Sequence, residues 1–352
     1  MPPTSGTLYR VVFDLLLARL DPETAHRVGA VGLRLLGAVP GMRRALAPRD
    51  PVLRIHALGL DLPTPLGVAA GFDKDARLVR PLGALGFGFV EVGTVTARPQ
   101  QGNPRPRVFR YADRRALVNR MGFPNEGAAA AAERLRRRPA SPAVGVNVGK
   151  SRAVAIEDAP ADYAASVRAL VPFADYLVLN VSSPNTPGLR ALQAVDALEA
   201  IVLAVQAELA SLPSSVPLLV KIAPDLGDDE LDSIADAAVR LGLAGLIAVN
   251  TTLVTDADEP WREAGGLSGA PLRERALAVL ERLAARTNGK LVLVSVGGIE
   301  SAEDVVARLR AGATLVQAYT SFVYGGPLWA RRVNRELARL VRAAGLSSVT
   351  DL

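Results

Sequence analysis

The chain contains no cysteine and only two histidines in 352 residues. The first absence removes disulfides, thiolate nucleophiles, Cys-ligated zinc and Cys-held iron–sulfur clusters. The second leaves His26 and His56 with no partner for a metal pair, so no metal is expected. Low-complexity tracts and internal repeats are lacking too, and 49% apolar with 22% charged residues describes one packed core rather than a filament or a disordered chain. There is no strand-associated Gly-x-Gly-x-x-Gly, which argues against a nicotinamide dinucleotide site. No cleavable signal is read at the N-terminus, because Asp14 interrupts the first apolar stretch. The longest uncharged run, Ala311 to Ala330, contains Gln317, Thr320, Ser321 and Gly325-Gly326-Pro327, and reads as a strand and loop rather than a membrane span. The net charge of +6 rests on arginines scattered over helical segments, the pattern of solvated faces, so no nucleic-acid partner is expected.

What is present is a repeated grammar of apolar runs ending in polar, turn-forming residues. The fullest case is Tyr176 to Leu179, followed by Asn180-Val181-Ser182-Ser183-Pro184-Asn185-Thr186-Pro187-Gly188. Strands are expected at Leu66 to Gly71, Phe89 to Val95, Val144 to Gly149, Tyr176 to Val181, Leu218 to Ala223, Gly245 to Asn250, Leu291 to Val296 and Leu315 to Tyr319. Segments of helical period alternate with them: Lys74 to Leu85, Pro124 to Arg138, Ala161 to Phe173, Leu192 to Leu212, Asp228 to Leu241, Pro271 to Thr287, Ser301 to Ala311 and Pro327 to Ala344. Eight buried strands alternating with eight helices imply an α/β fold of the parallel (β/α)8, or TIM, barrel type over residues 46–352. An open doubly wound sheet shares this local pattern, and the count separates the two.

Residues 1–45 form a separate unit, read as an N-terminal amphipathic helical hairpin. Leu8, Val11, Val12, Leu15 and Leu16 make one stripe. Asp21-Pro22-Glu23 then opens a second helix with an N-cap, a proline at the first position and an acid in the first turn. Its apolar side carries Val28, Val31, Gly32, Leu35, Leu36 and Val39, and Pro40-Gly41 ends it. Residues 1–48 hold six arginines against three acids. Two readings stand here: a basic, apolar surface for an anionic membrane, or a hairpin that packs its stripe on the barrel.

The loops after the strands carry chemistry. They offer Ala70-Gly71-Phe72-Asp73-Lys74, Gly93-Thr94-Val95-Thr96, Asn147-Val148-Gly149-Lys150, Lys221, Asn250-Thr251-Thr252, Gly297-Gly298 and Tyr319-Thr320. Glycine-rich backbone after strands seven and eight is the usual barrel phosphate site. Asparagine has both donor and acceptor and suits amide-like heterocycles. A phosphorylated planar ring is implied, and flavin mononucleotide (FMN) fits better than a dinucleotide.

These residues lie in long motifs: Ala69 to Lys74, Glu91 to Thr96, Asn119-Arg120-Met121-Gly122-Phe123, Asn180 to Gly188, Lys221-Ile222-Ala223-Pro224-Asp225 and Gly265-Gly266-Leu267-Ser268-Gly269. Over nearly its whole length the chain resembles the dihydroorotate dehydrogenases, in the class 2, quinone-dependent branch. That resemblance implies oxidation of dihydroorotate to orotate in pyrimidine biosynthesis, with FMN as hydride acceptor and a membrane quinone as final acceptor. It implies Ser183 as catalytic base, its proton leaving through water and Thr186. Substrate contacts carry over to Lys74, Asn119, Arg120, Met121, Gly122, Phe123, Asn180, Asn185, Asn250 and Thr251, with Arg120 and Met121 as candidates for backbone contact alone. FMN contacts carry over to Ala70, Gly71, Phe72, Asp73, Lys74, Thr94, Asn147, Asn180, Lys221, Val249, Gly269, Gly298, Tyr319 and Thr320. His26, Arg110 and Tyr319 match positions on the quinone path, and peripheral attachment to the cytoplasmic side of the cell membrane is expected. Val249 stands where some relatives carry threonine, leaving only backbone contact, and Thr320-Ser321 replaces Ser-Gly. Two rivals are a tRNA dihydrouridine synthase, whose proton donor is a cysteine this chain lacks, and a flavin-free phosphate-binding barrel.

Overall fold

A computed structural model of the chain describes residues 7–39, 41, 46–47, 50–186 and 188–352. Eight strands form its centre: β1 (Leu66–Asp73), β2 (Phe89–Val95), β3 (Ala143–Val148), β4 (Tyr176–Asn180), β5 (Leu218–Ile222), β6 (Gly245–Ala248), β7 (Val292–Val296) and β8 (Leu315–Ala318). Each pairs in parallel with its sequence neighbour, and β8 pairs β1, so the sheet closes into a barrel. The expected strands therefore all form, and the open-sheet alternative is excluded. Their residues are almost all buried, because a parallel barrel is covered by helices outside and packed with side chains inside.

The interior divides into two ends. At the N-terminal end a small antiparallel pair, Ile55–Ala57 with Leu60–Leu62, plugs the barrel with Ile55, Ala57 and Leu62 packed on Phe89, Tyr176 and Leu219. At the C-terminal end the strands give way to polar loops. A four-stranded antiparallel sheet covers one side of that rim, made of Val108–Tyr111, Ala116–Asn119, Thr252–Val254 and Gly265–Gly269. It joins the loops after β2 and β6, and its strands of three to five residues are too short to show in the sequence periodicity.

The N-terminal pair of helices forms as expected: α1 (Thr7–Leu15) and α2 (Pro22–Ala38), with the Asp21 carboxylate accepting the Thr24 N–H at 3.0 Å as the N-cap. Pro40 and residue 45, the expected end of this unit, lie outside the described residues, as does the side chain of Leu8. The helices do not pack the expected stripe on the barrel. Val11, Val12 and Leu15 of α1, and Leu16 just after it, face outward, while Phe13 packs on Leu117 and Tyr324, with Tyr9 beside it. In α2, Val28, Val31 and Leu35, with Val39 just after the helix, are exposed, while Ala30, Leu33 and Leu36 meet the core. Both faces of α2 are apolar, and Leu36 alone of its expected large apolar side chains points inward.

Candidate active site

A cavity of about 980 Å³ opens where the barrel rim, the covering sheet and the two N-terminal helices meet. That lies at the upper end of the roughly 300–1,000 Å³ typical of ligand pockets. Most of the expected site residues line it: Ala70 to Lys74, Thr94, Asn119, Met121 to Phe123, Asn180, Ser183, Asn185, Lys221, Val249, Asn250, Thr251, Gly269, Gly298, Tyr319 and Thr320. His26 and Arg110 line its mouth. Two expected contacts stand off the wall. Asn147 lies fully buried one layer behind Thr94, whose hydroxyl donates to Asn147 Oδ1 at 2.6 Å. The Arg120 side chain turns away to Glu263, at 3.1 Å, and covers the Phe109 ring, which leaves its backbone for the site.

The inner wall is a run of hydrogen-bonded amides. Asn180 donates to Thr94 Oγ1 at 2.8 Å, and Asn250 donates to Asn180 Oδ1 at 3.3 Å and to Ser182 Oγ at 3.0 Å. Beneath them the wholly buried Glu91 accepts from Asn147 at 2.8 Å and from Gln317 at 2.6 Å. The Gln317 Oε1 atom is buried without a partner among the described residues, although Gln317 lines the cavity. Lys221 is buried on the same wall; burial lowers its pKa, and the Glu91 charge works the other way. Lys221 also lines the cavity, so its amino group meets whatever ring occupies the wall.

Ser183 sits 6% exposed on the loop after β4. Its Oγ accepts the Asn185 N–H at 3.3 Å, and among the described residues it has no carboxylate or imidazole partner. Thr186 Oγ1, close by in sequence, is buried with no partner among the described residues, and Pro187 lies outside them. Asn185 donates to Asn119 Oδ1 at 3.2 Å, and Asn119 donates to Gly266 O at 3.2 Å, so the loop after β4 is tied to the covering sheet. Asp73 spends its carboxylate on the N–H groups of Arg77 and Leu78, at 2.7 and 2.6 Å, and thereby fixes the turn that carries Lys74. Lys74 donates to Gly71 O at 2.5 Å. Burial pulls its pKa down to about 8, with Glu23 the largest opposing charge.

The far end of the wall has the features of a phosphate cradle. Gly297 and Gly298 both have positive φ, and a Cβ on Gly298 would lie 2.4 Å from the Arg273 backbone, so only glycine fits that close approach. The turn is held from behind by Arg273, which donates to Gly298 O at 3.0 Å, and by the buried Arg308, which donates to Gly297 O at 3.0 Å. Ser268 and Thr320 hydroxyls meet at 2.9 Å in front of it. Val249 spends its N–H on Val296 O at 3.0 Å, so its carbonyl is the group left for a ligand.

The mouth is different. His26 of α2 lies edge-on to Phe72, with ring centroids 5.1 Å apart, and Phe72 lies edge-on to Tyr319 at 5.5 Å. Burial, followed by the Lys74 charge, pulls the His26 pKa down to about 4, so the ring is neutral at pH 7. Arg110 donates to Leu17 O at 2.7 Å, to Ala18 O at 3.1 Å and to Leu20 O, clasping the connection between α1 and α2. Glu23 pairs with Arg105 and with the buried Arg107, each at 2.9 Å, which pins the start of α2 to the loop after β2.

Sequence reasoning missed Glu91 and Gln317 as parts of this wall. Their only signal was a polar side chain inside an otherwise apolar strand, and in a barrel such a side chain points into the interior.

A sequence model of the family described as "Dihydroorotate dehydrogenase" matches residues 52–341. The chain is 57% identical over 360 residues to the "Dihydroorotate dehydrogenase (quinone)" of Thermobifida fusca, covering 98% of this chain and 95% of the relative. It is also 57% identical to the protein of that name from Kineococcus radiotolerans, covering 95% and 96% of the two chains. Among solved structures, DHODH from Eimeria tenella in complex with ferulenol is 40% identical, with a TM-score of 0.86 over 97% of each chain.

Proposed function

Because the chain belongs to the dihydroorotate dehydrogenase family, in its quinone-linked branch, we propose that the 980 Å³ cavity is where dihydroorotate becomes orotate. The enzyme is an oxidoreductase of pyrimidine biosynthesis that passes electrons from dihydroorotate to a quinone. The family is flavin-dependent, and we read the flavin here as FMN. The glycine turn at Gly297-Gly298, the hydroxyls of Ser268 and Thr320, the buried Lys221 and the Gln317 Oε1, unpartnered among the described residues, fit a phosphorylated ring with polar edges. FMN, when bound, supplies the acceptor for the substrate hydride and the store from which the quinone draws electrons. Ala70 to Lys74, Thr94, Asn180, Val249, Gly269, Gly298, Tyr319 and Thr320 would hold it, with Asn147 acting from behind Thr94.

The chain's own residues do the rest. Lys74, Asn119, Asn180, Asn185, Asn250 and Thr251, with the backbone from Arg120 to Phe123, bind and orient dihydroorotate. Ser183 takes the proton from C5. A serine hydroxyl is a weak base, so it needs a dry site and an exit for that proton. Its burial supplies the first, and water with the unpartnered Thr186 Oγ1 supplies the second.

The single observation that carries the reading is one cavity with two unlike ends, an amide-lined rim inside and an apolar mouth beneath α2. Residues 1–45 are the membrane and quinone-access unit, and 46–352 the catalytic barrel. Eight of the twelve exposed large apolar side chains among the described residues lie on α1, α2 and the residue following each. We place that face on the cytoplasmic surface of the cell membrane, attached peripherally. Among the described residues no helix is long and apolar enough to cross a membrane. His26, Tyr319 and Phe72 line the quinone path, and Arg110 shapes its entrance by holding the α1–α2 connection.

The test is steady-state oxidation of dihydroorotate with a quinone, fumarate or NAD as sole acceptor. Quinone should support turnover. Turnover with fumarate or NAD but not quinone would overturn the reading.

A further inference from the structure

Glu91 is 0% exposed and does not reach the cavity, yet the hydrogen bonds of the inner wall all run toward it. Its two carboxylate oxygens accept from Asn147 Nδ2 at 2.8 Å and Gln317 Nε2 at 2.6 Å. A carboxylate in this role only accepts, so Asn147 must turn its NH₂ inward and its oxygen toward Thr94. The Thr94 hydroxyl donates its one hydrogen to that oxygen at 2.6 Å. Having donated, it accepts from Asn180 Nδ2 at 2.8 Å. Asn180 Oδ1 then faces the other way and accepts from Asn250 Nδ2 at 3.3 Å and Ser182 Oγ at 3.1 Å. Four links from Asn250 to Glu91 thus have every donor pointing down the chain. A neutral acceptor–donor group in place of the carboxylate would let the row run in either direction.

We propose that Glu91 is a positioning residue that fixes the donor–acceptor polarity of the cavity wall, so that Asn180 offers a ligand its remaining N–H and never its oxygen. At Asn180 the wall then favours a ligand that presents an oxygen acceptor, while Asn250, both its N–H groups spent on Asn180 and Ser182, keeps only its oxygen for a ligand. Orotate has such acceptors in its ring carbonyls and carboxylate. This rests on reading Asn180 and Asn250 as ligand contacts, and it deepens that reading.

The test uses Glu91→Gln, which keeps the volume and supplies a group able to donate. Flavin-loaded wild type and variant are titrated with orotate and with its carboxamide analogue, following flavin absorbance. In the wild type orotate should be preferred. In Glu91→Gln the ratio of the two Kd values should narrow by about tenfold, because a wall free to reverse can accept from the carboxamide. Thr94→Val cuts the relay without touching the carboxylate; it should narrow the ratio similarly, and the double variant should narrow it no further. Equal weakening of both ligands would show a merely structural role and overturn the proposal. A ratio within about twofold of wild type would do the same, as would losses that multiply in the double variant. Should Glu91→Gln fail to fold, the ratio in Thr94→Val decides alone. Wild-type protein that binds neither ligand would overturn the reading of the cavity itself, and the proposal with it.

Discussion

Around Asn180 the cavity wall ties its polar side chains to one another within the barrel, whereas α2 leaves Val28, Val31 and Leu35 exposed, with Val39 just after it, Leu35 at 68% exposure. The wall is cross-linked by hydrogen bonds between residues up to 226 positions apart, as from Gln317 to Glu91. The helices are held by a few anchors: Glu23 on Arg105 and Arg107, Arg110 on the inter-helix carbonyls, and Tyr9 donating to Val323 O at 2.6 Å. A pre-organised polar wall suits chemistry that must place a proton and a hydride within tenths of an ångström. A lightly anchored apolar roof suits a lipid-soluble acceptor that must enter and leave. The difference teaches that the two half-reactions can be separated by mutation.

The largest expected effect breaks the wall and spares the roof. Ser183→Ala removes a hydroxyl whose only hydrogen bond among the described residues is the one accepted from the Asn185 N–H, so the fold and the bound flavin should persist. Flavin reduction by dihydroorotate in single turnover should slow by about 10²- to 10⁴-fold, the usual worth of positioned base catalysis. Reoxidation of chemically reduced enzyme by quinone should keep its wild-type rate. Near-normal flavin reduction would remove Ser183 from its role.

The second effect breaks the roof and spares the wall. Val31→Glu with Leu35→Glu places two charges on the exposed face of α2, at 54% and 68% exposed positions outside the packed core. Burying an apolar side chain of this size is worth about 1.5–3 kcal/mol when complete, so even partial membrane insertion makes a roughly tenfold loss of binding to anionic vesicles a modest expectation. Turnover with a long-chain quinone should fall with it, and single-turnover flavin reduction should not change. Vesicle binding equal to wild type would make this face something other than a membrane surface.

Much of this contrast is legible in the sequence, and what is not has physical causes. All eight strands can be read because a barrel strand is buried on both faces and ends in polar residues. Two helices begin four or more residues later than their composition predicts. Val79–Ala84 follows a turn set by the Asp73 carboxylate, and Ala128–Leu135 follows Gly127 at φ 85°, so the residues before each are turns with helical composition. The covering sheet leaves no periodic trace because its strands are short and come from two loops far apart in the sequence. The orientation of α2 is undecidable from pattern, since it carries apolar residues on both faces. Ser183 and the asparagines stand out because loops after barrel strands are where such residues act. Glu91 is visible only as part of a motif, since nothing in a strand pattern says that a lone acid will organise the amides above it.

The smallest effect lies at the border between wall and roof. His26 belongs to α2, touches Phe72 of β1, and is held neutral, its pKa drawn down to about 4 by burial and then by the Lys74 charge. An unfolded histidine titrates near 6.5. Between those values the unfolded chain binds a proton that the folded chain refuses, so stability should rise with pH from about 4 to 6.5 and level off above. Each tenfold drop in proton affinity is worth about 1.4 kcal/mol, so the whole contribution is on the order of 3 kcal/mol, and less where water reaches the ring. His26→Phe keeps an aromatic edge on Phe72 and removes the titration. Denaturant unfolding at about pH 4.5 and about pH 7 should show the variant losing less stability on acidification than the wild type does. If both lost the same amount, His26 would titrate as an ordinary solvated histidine, and the roof over the cavity would be more open to water than its packing against Phe72 implies.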